Sequence, residues 1–252
     1  MTHSRPDQRR LRPGVGTRQY VGEVIDPLDE REFTVPLYTQ REAADVVGVP
    51  ASAFHHWARG YMYKTLDGSQ KSSPALVTTV GVRRGPVVPF IGLGEAYVLA
   101  AFRRTGVPMQ RIRPAIERLE NKIGLRAALT SERLKTDGAN LLWEYGRTDP
   151  ETGELVDELV VVHNQQAVFR DVIQRYLKTI TYRAGRLVAI RLPDYQPAVI
   201  VDPRINFGQP TLASRGIRVA DVLGRVRAGE PADDVARDYD LDPLDVRALL
   251  AA

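Results

Sequence analysis

His55 and His56 stand side by side, Asp233 and Asp234 form a second pair, and Asp240, Asp242 and Asp245 crowd the last turns of the chain. Imidazole pairs can hold transition metals, and clustered carboxylates can hold Mg²⁺ for phosphodiester hydrolysis. Neither group has the spacing its chemistry needs. Adjacent residues diverge by about 100° on a helix, and no carboxylate or Cys stands at ligand spacing from the histidines. They read as polar residues facing a groove. The aspartates read as N-terminal dipole partners of short helices and as solvated faces. His163 is the only histidine beyond residue 56, so acid–base catalysis has few candidates, and the absence of Cys removes thiol catalysis and disulfides. In "INFGQPTLASRGIRVADVL", Gly208 and Gly216 match neither GxGxxG nor GxxxxGK[ST], which argues against a phosphate cradle. The expectation is a non-enzymatic protein without metal or cofactor. A metal-dependent nuclease using the acidic tail is the alternative from the enzyme class.

Charge points to a different chemistry. The net charge is only +4, but residues 1–20 hold five Arg against one Asp, and residues 80–126 hold nine bases against three acids. From Asp221 onward four Arg face eight acids. The front half suits a polyanion and the tail does not. Arg5, Arg9, Arg10 and Arg12 could follow a minor groove or form a simple basic tail. No apolar leader or membrane-length stretch is present, so a soluble, cytoplasmic, nucleoid-associated protein with no membrane partner is expected.

The elements that must position these groups follow from local signals. Residues 1–36 read as a basic arm. Thr39 followed by Glu42 is a capping-box pair opening a short helix with Ala43, Ala44 and Val47 inward; Gly48-Val49-Pro50 is a turn. A second helix carries Phe54 and Trp57 on its inner face, completing a helix-turn-helix. Residues 61–92, with Asp67-Gly68 and Arg84-Gly85-Pro86, read as hairpin material for a wing, and two helices over 93–104 and 107–122 close the unit. Residues 126–195 read as a central α+β region with a helix over 165–177 and a hairpin about Ala184-Gly185. "PDYQP" reads as a linker, and residues 196–252 as a compact last module. The fold class is mainly α, with a β wing and a central α+β hairpin region between two helix-turn-helix modules.

The second helix-turn-helix emerges from an internal repeat. A shift of 192 residues places Ala44 on Ala236, Val47 on Tyr239, Val49 on Leu241, Phe54 on Val246 and Trp57 on Leu249. The outward positions differ: Ser52, His55, His56 and Arg59 give way to Leu244, Arg247, Ala248 and Ala251, with Asp242 and Asp245 alongside. Only the first copy suits a phosphate backbone and base edges.

Residues 37–125, and "TGVPMQRIRPAIERL" above all, resemble the MerR-type winged helix-turn-helix. That resemblance implies DNA contacts from Thr39, Arg41, Ser52, His55, His56 and Arg59, from Tyr61, Lys64, Arg83 and Arg84 on the wing, and from Arg103 and Arg104 on the following helix. Residues 199–251, with Asp202-Pro203, Gly208-Gln209-Pro210, Arg215 to Val219 and Gly229, resemble a small bacterial module grouped with VapB-type antitoxins. In this order the chain looks like an antitoxin of a type II toxin–antitoxin pair. The resemblance implies a PIN-domain, VapC-like ribonuclease as partner and an operator in the pair's own promoter; a homodimer is expected because one short helix reads only a half-site. Arg215 and Arg218 are the candidates for the toxin's carboxylates; Val168, Val172, Tyr176, Leu244 and Arg247 are candidates for the toxin or dimer surface. A stand-alone MerR-like regulator is the alternative within the binding class.

Overall fold

The computed structural model describes residues 34–64, 68–81, 85–106, 128–132 and 171–252, with single positions at 109, 112, 113, 116 and 134. Strand β1 (Pro36–Tyr38) leads into α1 (Gln40–Val47), and α2 (Ala51–Arg59) follows. The capping box is in place: Thr39 Oγ1 accepts from Glu42 N at 3.2 Å, and Glu42 Oε2 accepts from Thr39 N at 2.8 Å. Ala43, Ala44 and Val47 from α1 and Phe54, Trp57 and Ala58 from α2 are buried together.

From α2 the chain enters the wing, β2 (Tyr61–Lys64) paired antiparallel with β3 (Gln70–Ser73). Gly60 makes the corner at φ +68°, and a Cβ there would collide with the Ser73 carbonyl, so the wing can leave the helix this tightly only through glycine. The return segment is fastened to α2 by Leu76 N and Val77 N, which both donate to Trp57 O. Beyond it, β4 (Val88–Pro89) pairs with β1 rather than extending the wing. Arg83 and Arg84 lie outside the described residues.

Helix α3 (Phe90–Arg104) is buried from Phe90 through Phe102, on every side. It is the axis of the molecule. An all-round apolar helix belongs in a core. Its one carboxylate, Glu95, is satisfied by Thr78 N at 2.6 Å and Thr78 Oγ1 at 3.1 Å, an approach opened by Gly92, where a Cβ would strike Thr78 O. Ile112 and Ile116, from the next expected helix, are helical and buried. The segments "LKTDGANLLWEYG" and "GELVDELVVVH", whose composition suggests strands, lie outside the described residues except for Leu134.

A five-stranded antiparallel sheet, β5 (Ile180–Arg183), β6 (Arg186–Leu192), β7 (Val199–Val201), β8 (Thr211–Leu212) and β9 (Ile217–Arg218), runs in sequence order. The Ala184-Gly185 hairpin is where the sequence puts it. The linker is not: β6 and β7, on either side of "PDYQP", pair Ile190 with Val201 and Leu192 with Val199. Strands assigned to the central region and to the last module therefore share one sheet, and the buried residues of both ends form one hydrophobic cluster with α3. Tyr38, buried in the first module, donates from Oη to Gly208 O at 2.6 Å.

The chain ends in α4 (Val219–Arg227), α5 (Ala232–Asp238) and α6 (Pro243–Ala251). The repeat holds bond for bond. Val49 N donates to Ala44 O at 3.0 Å and Leu241 N to Ala236 O at 2.8 Å; Phe54 N donates to Pro50 O and Val246 N to Asp242 O. The left-handed residue that ends the first helix is Gly48 at φ +69° in one copy and Asp240 at φ +52° in the other. Gly48→Ala should therefore cost about 1–2 kcal/mol of stability, while Asp240→Gly should gain up to about 1 kcal/mol, less what its exposed ion pair with Arg215 contributes. Urea unfolding of the two variants reads this directly; a destabilised Asp240→Gly would mean that the backbone there is not strained.

Candidate nucleic-acid interface

Helix α2 presents Ser52, His55, His56 and Arg59 on its exposed side because Phe54, Trp57 and Ala58 take the inner one. His55 Nδ1 is 3.0 Å from Gln40 Oε1, which ties the recognition face to the start of α1. Ring contacts carry the surface onto the wing: His56 lies 5.3 Å from Tyr61, and Tyr61 lies 6.0 Å from Tyr63. Tyr61 is itself stacked beneath the Arg113 guanidinium at 5.3 Å, and Arg113 Nη1 donates to Pro74 O at the base of the wing. Lys64 is exposed near the hairpin tip, and Arg103 at the end of α3. Among the described residues none pairs with Arg59, whereas Arg41 sits 3.3 Å from Asp45 on α1.

Two expected phosphate contacts are engaged elsewhere. The Thr39 hydroxyl is the helix cap. Arg104 lies over the Tyr176 ring at 5.1 Å and 3.5 Å from Asp194, with the end of α1 beside it at Gly48. Tyr176, expected on a partner surface, is buried, its ring 5.1 Å from that of Tyr97. Tyr97 Oη is 2.7 Å from Thr179 Oγ1, and burial raises its pKa to about 12. A helix over residues 171–178 turns Ile173, Tyr176 and Leu177 inward onto α3 and leaves Val172 half-buried; Val168 lies outside the described residues. Helical periodicity marks an apolar face without saying which surface covers it.

The two helix-turn-helix copies differ most at the N-terminus of the second helix. In α2 the N-cap is Pro50, which makes no side-chain cap, and the first turn holds no acid. Its first N–H groups and positive dipole end stay open to an anion. At the equivalent position α6 has Asp242, whose carboxylate accepts from Leu244 N at 2.8 Å, with Asp245 also in the first turn. A carboxylate occupies the place a phosphate would take. The repeat alignment already sets Asp242 against Pro50, so this contrast was readable from the sequence.

Apart from Arg227, the arginines of the last module each pair with a carboxylate of the chain. Arg247 Nη2 sits 2.6 Å from Asp233 Oδ1, Arg218 donates twice to Asp221 at 2.8 Å, and Arg215 holds both Asp240 Oδ2 and Asp240 O. Arg225 bridges Glu230 and Asp238, which holds the Glu230 carboxyl below its ordinary range. Buried Asp202 accepts from Arg204 N, Nε and Nη2; burial pushes its pKa up, but these bonds outweigh that and hold it low. Leu244 remains 66% exposed on α6. Among the described residues no three His, Cys, Asp or Glu side chains converge as a metal site, and no helix is long and apolar enough to cross a membrane.

The two ends of the chain match separate families. Residues 36–116 match a family described as "Putative DNA-binding HTH domain", and residues 199–251 match one described as "Protein of unknown function (DUF433)". A Mycobacterium tuberculosis protein named "Putative antitoxin VapB45" is 40% identical over 230 residues, covering 88% of this chain and 96% of that one. A second protein of that organism, the uncharacterized Rv2308, is 30% identical over 220 residues, covering 81% and 84%. The crystal structure of M. tuberculosis Rv2018 superposes with a TM-score of 0.66 at 36% identity, covering 86% of this chain and 99% of that one.

Proposed function

This chain belongs to the VapB45 family and carries a helix-turn-helix DNA-binding domain, and from that premise we propose that it is a non-enzymatic antitoxin that represses its own operon and neutralises a PIN-domain ribonuclease. The observation that carries the DNA half is the contrast between α2, with an open N-terminus and exposed Ser52, His55, His56 and Arg59, and α6, with Asp242 across its N-terminus. In this reading α2 enters the major groove. Lys64 on the wing, Arg83 and Arg84 further along the chain and Arg103 at the end of α3 contact the flanking phosphates. One helix of nine residues reads only a half-site, so the operator-bound form is a homodimer on a two-fold site. The last module, whose charge disfavours DNA, faces the toxin. A PIN nuclease gathers carboxylates around Mg²⁺, and guanidinium groups complement them.

The experiment has two arms. Purified chain is titrated onto a duplex from its own promoter, and separately into an RNA-cleavage reaction run by the PIN-domain nuclease of the same operon. The expected results are retardation about a thousandfold tighter on the promoter than on unrelated DNA, and cleavage that stops near equimolar chain. Equal affinity for both duplexes would end the operator reading. Undiminished cleavage at excess chain, or an operon with no such nuclease, would end the toxin reading.

A further inference from the structure

The loop between β7 and β8 holds three successive residues in the left-handed region: Asn206 at φ +49°, Phe207 at φ +55° and Gly208 at φ +75°. Only the last is a glycine, and an aromatic residue there is rare, because Cβ crowds the backbone. The surroundings impose the shape. Asn206 Nδ2 donates to Thr211 Oγ1 at 3.1 Å and to Gly216 O at 2.8 Å, and Gly208 O receives the Tyr38 hydroxyl. What this conformation achieves is display. Phe207 is 82% exposed, the most exposed large apolar side chain described, with Ile205 also exposed two residues before it.

A phenyl ring that contributes nothing to the core, on a backbone that disfavours it, is accounted for by a surface it inserts into. The Asn206 amide ties this loop to the β8–β9 turn, which carries Arg215 and leads into Arg218 on β9. Both guanidinium groups are half exposed, and each engages one carboxylate of this chain, which leaves donors for another. We infer that Phe207 is the anchor of the toxin-facing surface and that it enters an apolar pocket rimmed by carboxylates on the partner protein. This rests on the toxin-binding reading above and deepens it: the knob is aromatic, and Arg215 and Arg218 flank it rather than lead.

The test uses the full chain and Phe207→Asn. Asparagine tolerates the left-handed backbone better than phenylalanine, so the variant removes the ring without disturbing the loop. Each protein is titrated calorimetrically into the PIN-domain nuclease at low and high salt, with urea unfolding and sedimentation of the free chain alongside. The expected result is about a thirtyfold loss of affinity with unchanged or higher stability, and wild-type binding that weakens as salt rises. Equal binding by the two proteins overturns the anchor role while leaving the toxin reading intact. A variant that loses stability together with affinity assigns the ring a structural role instead. A wild-type dimer that becomes monomeric on substitution gives the ring to a second copy of this chain. Salt-independent binding removes the acidic rim. A wild-type chain that does not bind the nuclease overturns both readings.

Discussion

Gly208→Ala should destabilise the chain by about 3 kcal/mol, more than any other surface-loop substitution considered. Three costs coincide. The residue lies at φ +75°, where a Cβ costs about 1–2 kcal/mol, and that Cβ would fall within contact distance of the buried Tyr38 hydroxyl. Tyr38 would have to withdraw, forfeiting its bond to Gly208 O, a further 0.5–1.5 kcal/mol by ordinary values, about. A double-mutant cycle identifies the cause. Tyr38→Phe alone should cost about 1 kcal/mol, and in its presence Gly208→Ala should cost distinctly less than in the wild type, because the obstructing oxygen is gone. Strict additivity in urea denaturation, or a near-neutral Gly208→Ala, would show that the two ends of the chain do not meet through this contact.

The second large effect concerns DNA. Arg59→Ala should weaken promoter binding about tenfold and flatten the log–log salt dependence by about one unit, as the loss of one phosphate contact requires. Arg247→Ala should leave both unchanged. Arg59 has no partner among the described residues, whereas Arg247 is already held 2.6 Å from Asp233 and sits on a helix whose N-terminus is covered by Asp242. Comparable losses from the two substitutions in a salt-series gel shift would mean that both helix-turn-helix copies touch DNA.

The parts of the fold written in local signals were legible. Thr39 and Glu42 announce a helix start, Gly48 its end, and the shift of 192 residues reveals a second copy whose turn is reproduced even in its hydrogen bonds. Of the sheet only the β5–β6 hairpin was legible. β7, β8 and β9 are two or three residues long, too short for an alternation to register, and their pairing depends on which segments meet in space. Helix α3 was recognised but its complete burial was not, since a stripe at Leu93, Ala96 and Tyr97 looks the same whether or not the remaining faces are covered. The site divides likewise. Residue type distinguishes α2 from α6, but only geometry shows Arg104 engaged by Tyr176 and Asp194, Tyr176 buried and Phe207 turned out.

The seam between β6 and β7 bears on how such chains can be reassembled. If the tail were an independent bead on a tether, it could be exchanged between related proteins at "PDYQP" without regard to what precedes it. Here Leu192 must find Val199, and Ile190 must find Val201, for either side of the junction to close. A tail grafted at residue 195 inherits a foreign β6 as its neighbour, and one removed there leaves β6 with an open backbone edge. An exchange made ahead of Ile180 carries the whole sheet with it. The unit that such an exchange must carry is then the sheet together with its three helices, larger than the tail that sequence similarity alone outlines.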